Sequence, residues 1–273
     1  MDRKLTIARL DGIPVDVHAS WPPVYLFVTW MLVTHFFPQL FLSQAAASYW
    51  IVSLAASSLL FGSLLAHEYC HAFVARRRGL RVHRIGLFFL GGVVEIDVDG
   101  GAPIDELLMA LAGPAASLIL GLAFAAAWLG LANTHLYVGA VAIYLALANV
   151  LLAGFNLIPG FPLDGGRVLR ASLWLLTRDH DRATRWACGL GQGVAGLGLA
   201  FGLQCLATGS LVTGAWLGMV AAFVFLSART AMPATPISRP APVVATMGRR
   251  DTPTWRTPRE RDMTYSRPDR LAS

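Results

Sequence analysis

Six stretches of this chain, at 21–42, 50–75, 104–131, 135–155, 186–206 and 211–228, are apolar over roughly the length that crosses a bilayer. A helix rises about 1.5 Å per residue, so about 20 apolar residues span a hydrocarbon core about 30 Å thick. Lipid offers no hydrogen bonds to an open backbone, so runs of this kind must close their own N–H and C=O groups as helices. The chain is 55% hydrophobic and 14% charged over 273 residues, a balance that a water-soluble domain rarely carries. The expected fold class is therefore an all-α polytopic membrane protein with six transmembrane helices. Ala45-Ala46-Ala47 follows the first run as a cleavage site follows a signal peptide. That run is longer than a signal core, however, and its leader carries Asp2, Asp11 and Asp16, so it is expected as a retained helix.

Charge gives these helices a direction. All 22 Lys and Arg residues fall in four zones: Arg3, Lys4 and Arg9; Arg76, Arg77, Arg78, Arg81 and Arg84; the stretch 167–185; and the tail from Arg229 onward. With six helices the four zones share one side, while the connections near 43–49, 132–134 and 207–210 carry no charge. The positive-inside rule then places both termini in the cytoplasm, with the plasma membrane as the expected location. A net charge of +6 suggests nucleic acid in other settings, but here topology and anionic lipid account for it, so the bilayer is the expected partner and nucleic acid is not. Cys70, Cys188 and Cys205 all lie in apolar runs and indicate no disulfide framework.

Two segments depart from the helical pattern. From 233 to 273 the composition turns to Pro, Arg, Thr and Asp with few large apolar residues, so residues 1–232 are read as the folded domain and 233–273 as a disordered cytoplasmic tail. Between the second and third runs, 81–99 holds two β-prone segments around Gly91-Gly92, which reads as a short membrane-associated β-hairpin between helices 2 and 3. It is too short to span. It is either an ordinary interfacial loop or a segment dipping in from the charged face with its backbone covered by protein or a water cavity. Small residues at four-residue spacing, such as Gly113, Ser117 and Gly121, read as helix-packing faces.

Chemistry enters through carboxylates in apolar surroundings, which are costly and so functional by default. With the charged zones and the region 95–106 set aside, Glu68 and Asp164 are the two that remain. Glu68 stands in His67-Glu68-Tyr69-Cys70-His71, and on a helix the two histidines, four residues apart, share a face and can ligate one Zn2+. Two neutral imidazoles leave room for a third ligand and a water whose pKa the metal lowers to about 7, with Glu68 as general base. Without a metal, two imidazoles and a carboxylate would be buried uncompensated. His18, His83 and His180 fall in cytoplasmic segments, and His35 and His135 toward the opposite helix ends, which leaves Asp164 as the third ligand. It lies in Asn156-Leu157-Ile158-Pro159-Gly160-Phe161-Pro162-Leu163-Asp164-Gly165-Gly166, whose prolines and glycines break the helix. Depth agrees: His71 lies five residues before Arg76, about 7 Å inside the charged face, and Asp164 three residues before Arg167.

Together these motifs resemble the site-2 protease family of intramembrane zinc metalloproteases. The similarity runs over 10–185 and includes Gly12-Ile13-Pro14-Val15 with His18 and Trp21, the His67 to His71 motif, Gly91-Gly92, Gly113-Pro114 and Pro162-Leu163-Asp164-Gly165-Gly166. The resemblance implies His67, His71 and Asp164 as ligands of one zinc per chain and Glu68 as the catalytic residue. It also implies Asn156 as a donor near the substrate carbonyl, the lesser alternative being a turn or cap residue of the broken segment. Substrates of the family are single-span membrane proteins cut within or near the bilayer, in regulated intramembrane proteolysis. The chain is similar to the minimal six-helix branch that includes the Bacillus sporulation protease, without inserted PDZ or terminal CBS modules. Ser117 stands where asparagine is frequent in the family. An inactive scaffold and an ion-coupled transporter remain the competing classes, and the oligomeric state is open.

Overall fold

The computed structural model describes residues 4–41, 44–89, 91–97 and 101–233. The expected tail at 233–273 lies, apart from its first residue, outside them. The chain opens with a hairpin, β1 (Lys4–Leu10) and β2 (Ile13–His18), followed by α1 (Trp21–Met31), a wider π-helical turn (Leu32–Phe36) and α2 (Phe37–Leu40). Next come α3 (Ala46–Arg77), β3 (Arg81–Phe88), β4 (Gly91–Asp97), α4 (Pro103–Leu131) and α5 (Leu136–Asn156). The chain continues through α6 (Asp164–Thr177), α7 (His180–Ala207) and α8 (Leu211–Thr230). Among the described residues, five helices, α3, α4, α5, α7 and α8, are long and apolar enough to cross a membrane. The first expected run is helical from 21 to 40 but divided by its π turn.

Three features correct the sequence reading. The sheet has four strands in the order β1-β2-β3-β4, so the expected two-stranded hairpin is only half of it. The missed half carries a readable signal: Asp11 and Gly12 both have positive φ, +48° and +81°, the two-residue turn that Asp-Gly favours between twisted strands. Second, Gly91 and Gly92 are not the turn of the second hairpin. They begin β4, paired with Phe88 and Leu87. Third, α6 occupies a segment read as irregular. The break is confined to 157–163, and Gly165 and Gly166 are helical.

The sheet is held at one end of the bundle. β2 runs parallel to β3, with Val15 opposite Ile85, and Ile13, Val15 and Ile85 bury themselves against Ala72 of α3 with Leu65 and Tyr69 beside them. Leu65, Glu68 and Ala72 share a helical face at three- and four-residue spacing, so this packing turns Glu68 toward the sheet. The described charge zones converge there too. Arg76 donates to the Asp11 carbonyl at 2.5 Å, Arg78 meets Asp105 at 3.3 Å, and Arg170 pairs with Glu106. The tip of the β3–β4 hairpin extends away from that end, and Phe89 stands edge-on to Trp216 of α8 with ring centroids 6.1 Å apart.

The irregular stretch is packed backbone to backbone. A Cβ at Gly160 would come within 2.6 Å of the Gly191 Cα, and one at Gly191 within 2.6 Å of the Phe161 carbonyl oxygen. Contacts this close leave no room for a methyl group. Gly191→Ala is expected to destabilise the protein by about 1–3 kcal/mol, as overpacking does. Thermal unfolding in detergent should show a lowered midpoint, and an unchanged midpoint would contradict this packing.

Candidate metal centre

Three side chains from distant parts of the chain meet in the bundle. His67 and His71 project from one face of α3, and Asp164 is the first residue of α6. The His67 Nε2, His71 Nε2 and Asp164 Oδ2 atoms stand 3.2 Å from one another in all three pairings. Ligand atoms about 2.0–2.1 Å from a tetrahedral zinc ion are about 3.3 Å apart, so the triangle has the dimensions of three corners of such a site. Both histidines are buried, and Asp164 is half-buried. Among the described residues this is the group of three or more metal-ligating side chains that comes together.

Hydrogen bonds on the far side of each ring set the chemistry of the near side. His71 Nδ1 lies 2.7 Å from the Met109 carbonyl oxygen, which only accepts, so Nδ1 carries a proton and the neutral ring presents its lone pair at Nε2. In that neutral form the lone pair faces the Asp164 oxygen and the other imidazole, an arrangement that becomes attractive when a positive charge, a metal ion or a second ring proton, lies among the three atoms. His67 Nδ1 is held at 2.9 Å by Ser117 Oγ. Metal-ligating histidines usually have such outer partners, which orient the ring and raise its basicity. The sequence reading missed both. The Met109 carbonyl leaves no mark in sequence, whereas Ser117 stood one turn beyond Gly113 and was assigned to helix packing.

Glycines shape the rest of the centre. A Cβ at Gly113 of α4 would overlap Nε2 of both His71 and His67, so the bare backbone forms a cradle that a side chain would fill. A Cβ at Gly165 or Gly166 would overlap backbone atoms of 157–161, so only glycine lets α6 begin beneath the irregular stretch and bring Asp164 to the histidines. A Cβ at Gly92 would overlap the Glu68 side chain, which sets the start of β4 directly against that carboxylate. The remaining expected residue, Asn156, closes α5 with its amide donating to the Leu152 carbonyl at 3.0 Å, one turn back on its own helix.

The donor set of two imidazoles and one carboxylate, its spacing, the His71 tautomer and the Gly113 cradle all fit zinc. Gly113→Ala separates cradle from scaffold. Alanine is the better helix former by about 0.5–1 kcal/mol, so a merely helical role predicts equal or higher stability with metal retained. The expected outcome is loss of stoichiometric zinc, read by elemental analysis of the purified protein, without loss of helical content.

Comparison with known proteins agrees with this geometry. The pattern of peptidase family M50 matches residues 55–140 and 130–192, together half of the chain. A Mycobacterium tuberculosis relative named zinc metalloprotease Rip3 is 40% identical over 227 residues, covering 82% of this chain and 58% of Rip3. A Synechocystis relative named as a zinc metalloprotease is 35% identical over 223 residues, covering 78% of this chain and 56% of its own. The chain thus spans little more than half the length of these relatives. The solved structure of the site-2 protease from Methanocaldococcus jannaschii superposes with a TM-score of 0.56 at 27% identity, covering 86% of this chain and 97% of that one. The chain therefore belongs to peptidase family M50, the zinc metalloproteases of the site-2 type, and zinc is the metal to which its donor set is matched.

Proposed function

We propose that this protein is an intramembrane zinc metalloprotease that hydrolyses peptide bonds in the spanning segments of single-span membrane proteins. One observation carries the reading above the others: two imidazole Nε2 atoms and a carboxylate oxygen lie 3.2 Å from one another inside an apolar bundle, with His71 Nδ1 donating to the Met109 carbonyl on the far side. In this reading the helical segment 21–40 joins the five long helices as a sixth span. The charged end of the bundle, where the sheet packs, faces the cytoplasm at the plasma membrane, with both termini on that side.

His67, His71 and Asp164 hold the metal, which when bound lowers the pKa of a coordinated water to about 7 and polarises the scissile carbonyl. Glu68 is the general base. Its carboxylate takes a proton from the attacking water and passes it to the leaving amine nitrogen. The position against Gly92 supports this role, because the packed strand limits where the carboxylate can swing. Asn156 donates its amide to the developing oxyanion, which requires its side chain to leave the Leu152 carbonyl. A donor of this kind contributes about 10²–10³ in rate.

A peptide bond within a helix is shielded by its own hydrogen bonds, so the substrate must unwind before it is cut. β4 supports strand addition as the means of holding it. It is an edge strand of the sheet, its outer side pairs with no strand among the described residues, and its first residues lie against Glu68. The Phe89 contact with Trp216, which sits five residues into α8 from the end remote from the charged zones, supports a hairpin dipping into the bilayer rather than resting on its surface.

Two measurements test the reading. Glu68→Gln should keep its zinc and lose turnover by about 10²–10⁴, with uncut membrane proteins accumulating in cells that express it. A scaffold would keep its function in that variant, and a transporter would lack stoichiometric zinc. Proline where the β4 N–H points away from β3, as at Val94, whose neighbouring Val93 carbonyl faces Gly86 of β3, should abolish cleavage of a helical substrate and spare that of an already extended peptide. Equal cleavage of both would exclude strand addition.

A further inference from the structure

We propose that Arg170 and Glu106 form a positioning pair that sets the distance of Asp164 from the two histidines, using α4 as a common reference for all three ligands. The inference rests on the metal reading above.

The two imidazoles already take their orientation from α4, His71 from the Met109 carbonyl and His67 from Ser117. Asp164 comes from another helix, so its approach depends on how α6 is seated. Six residues beyond Asp164, Arg170 donates through Nε to Glu106 Oε1 at 2.8 Å, and its second nitrogen also contacts that oxygen. Glu106 lies on the first turn of α4, three residues before Met109. The same Arg170 guanidinium lies 4.7 Å from the ring centroid of Phe161, three residues before Asp164. One cation therefore grips the segment on both sides of the ligand, from the loop that leads into it and from the helix that follows it. Phe161 is itself anchored against Ala187, Cys188 and Ala228, which fixes the far side of the grip.

Burial argues that the pair serves geometry. Glu106 is 6% exposed and the Arg170 side chain 13%. Buried ion pairs often add nothing to stability over apolar residues of the same volume, whereas a planar guanidinium in a fixed fork imposes direction and distance. The packing of glycines 160, 165, 166 and 191 removes slack in the backbone, so a displacement of α6 along α4 would move Asp164 directly.

The experiment measures zinc affinity of the full chain in detergent, by competition with a chromophoric chelator, for wild type, Arg170→Gln, Asp164→Asn and the double variant. Removing an outer partner of a metal ligand typically weakens binding by about 10–100-fold, and Arg170→Gln is expected in that range. The decisive comparison is the second background. With Asp164→Asn present, Arg170→Gln should cause no further loss, because the pair acts only through that carboxylate. Unchanged affinity in Arg170→Gln, or an equal loss in both backgrounds, would overturn the proposal. If Arg170→Gln does not fold, Glu106→Met removes the acceptor oxygen with a side chain of similar length and enters the same cycle. Wild-type affinity in Asp164→Asn would instead refute the ligand assignment itself, which separates the two claims.

Discussion

Two imidazole nitrogens and a carboxylate oxygen that converge to 3.2 Å, where little water can solvate them, call for a positive charge among them. The carbonyl of Met109 holds a proton on the remote nitrogen of His71, which leaves Nε2 of the neutral ring facing the other two atoms. A cation among the three atoms supplies that charge, and much of the architecture around them follows from making room for it. Gly113 withholds a side chain where the imidazoles converge, Ser117 and Met109 aim the rings, and Gly165 and Gly166 let α6 start close enough to bring a carboxylate within reach.

The second constraint is that non-helical backbone in an apolar bundle must be covered by protein. The irregular stretch at 157–163 meets it by packing its backbone against α6 and α7 through glycines, with Phe161 closing the gap. The β3–β4 hairpin meets it on one side by joining β2, and on the face of the sheet by packing over α3. Its outer edge pairs with no strand among the described residues, and that edge begins beside Glu68.

Much of the helical layout was legible in the chain because lipid makes hydropathy a strong signal. Five of the expected runs correspond to helices long enough to span, with ends within several residues of the reading. The ligand pair was legible because His67 and His71 are local: four residues on a helix suffice to place two rings on one face. Asp164 was reached by elimination and by counting residues to the nearest arginine, and the structure brings its carboxylate to the two histidines, at a depth that all the helices share. The N-terminal strands were missed despite an Asp-Gly turn signal, since β1 and β2 gain their place in the sheet only from a partner some 70 residues away. Glu106 was set aside with the loop acids, because its burial depends on Arg170, 64 residues further on.

The division follows the range of the forces involved. Periodicity and the His-Glu-x-x-His spacing act over one helix or one membrane thickness, so they marked five of the long apolar helices and the face of α3 that carries both histidines. Distances between elements arise from packing, which no local pattern encodes. The equal 3.2 Å spacing, the tautomer of His71, the seat of β4 on Glu68 and the grip of Arg170 on both sides of Asp164 became visible only once α3, α4 and α6 were brought together.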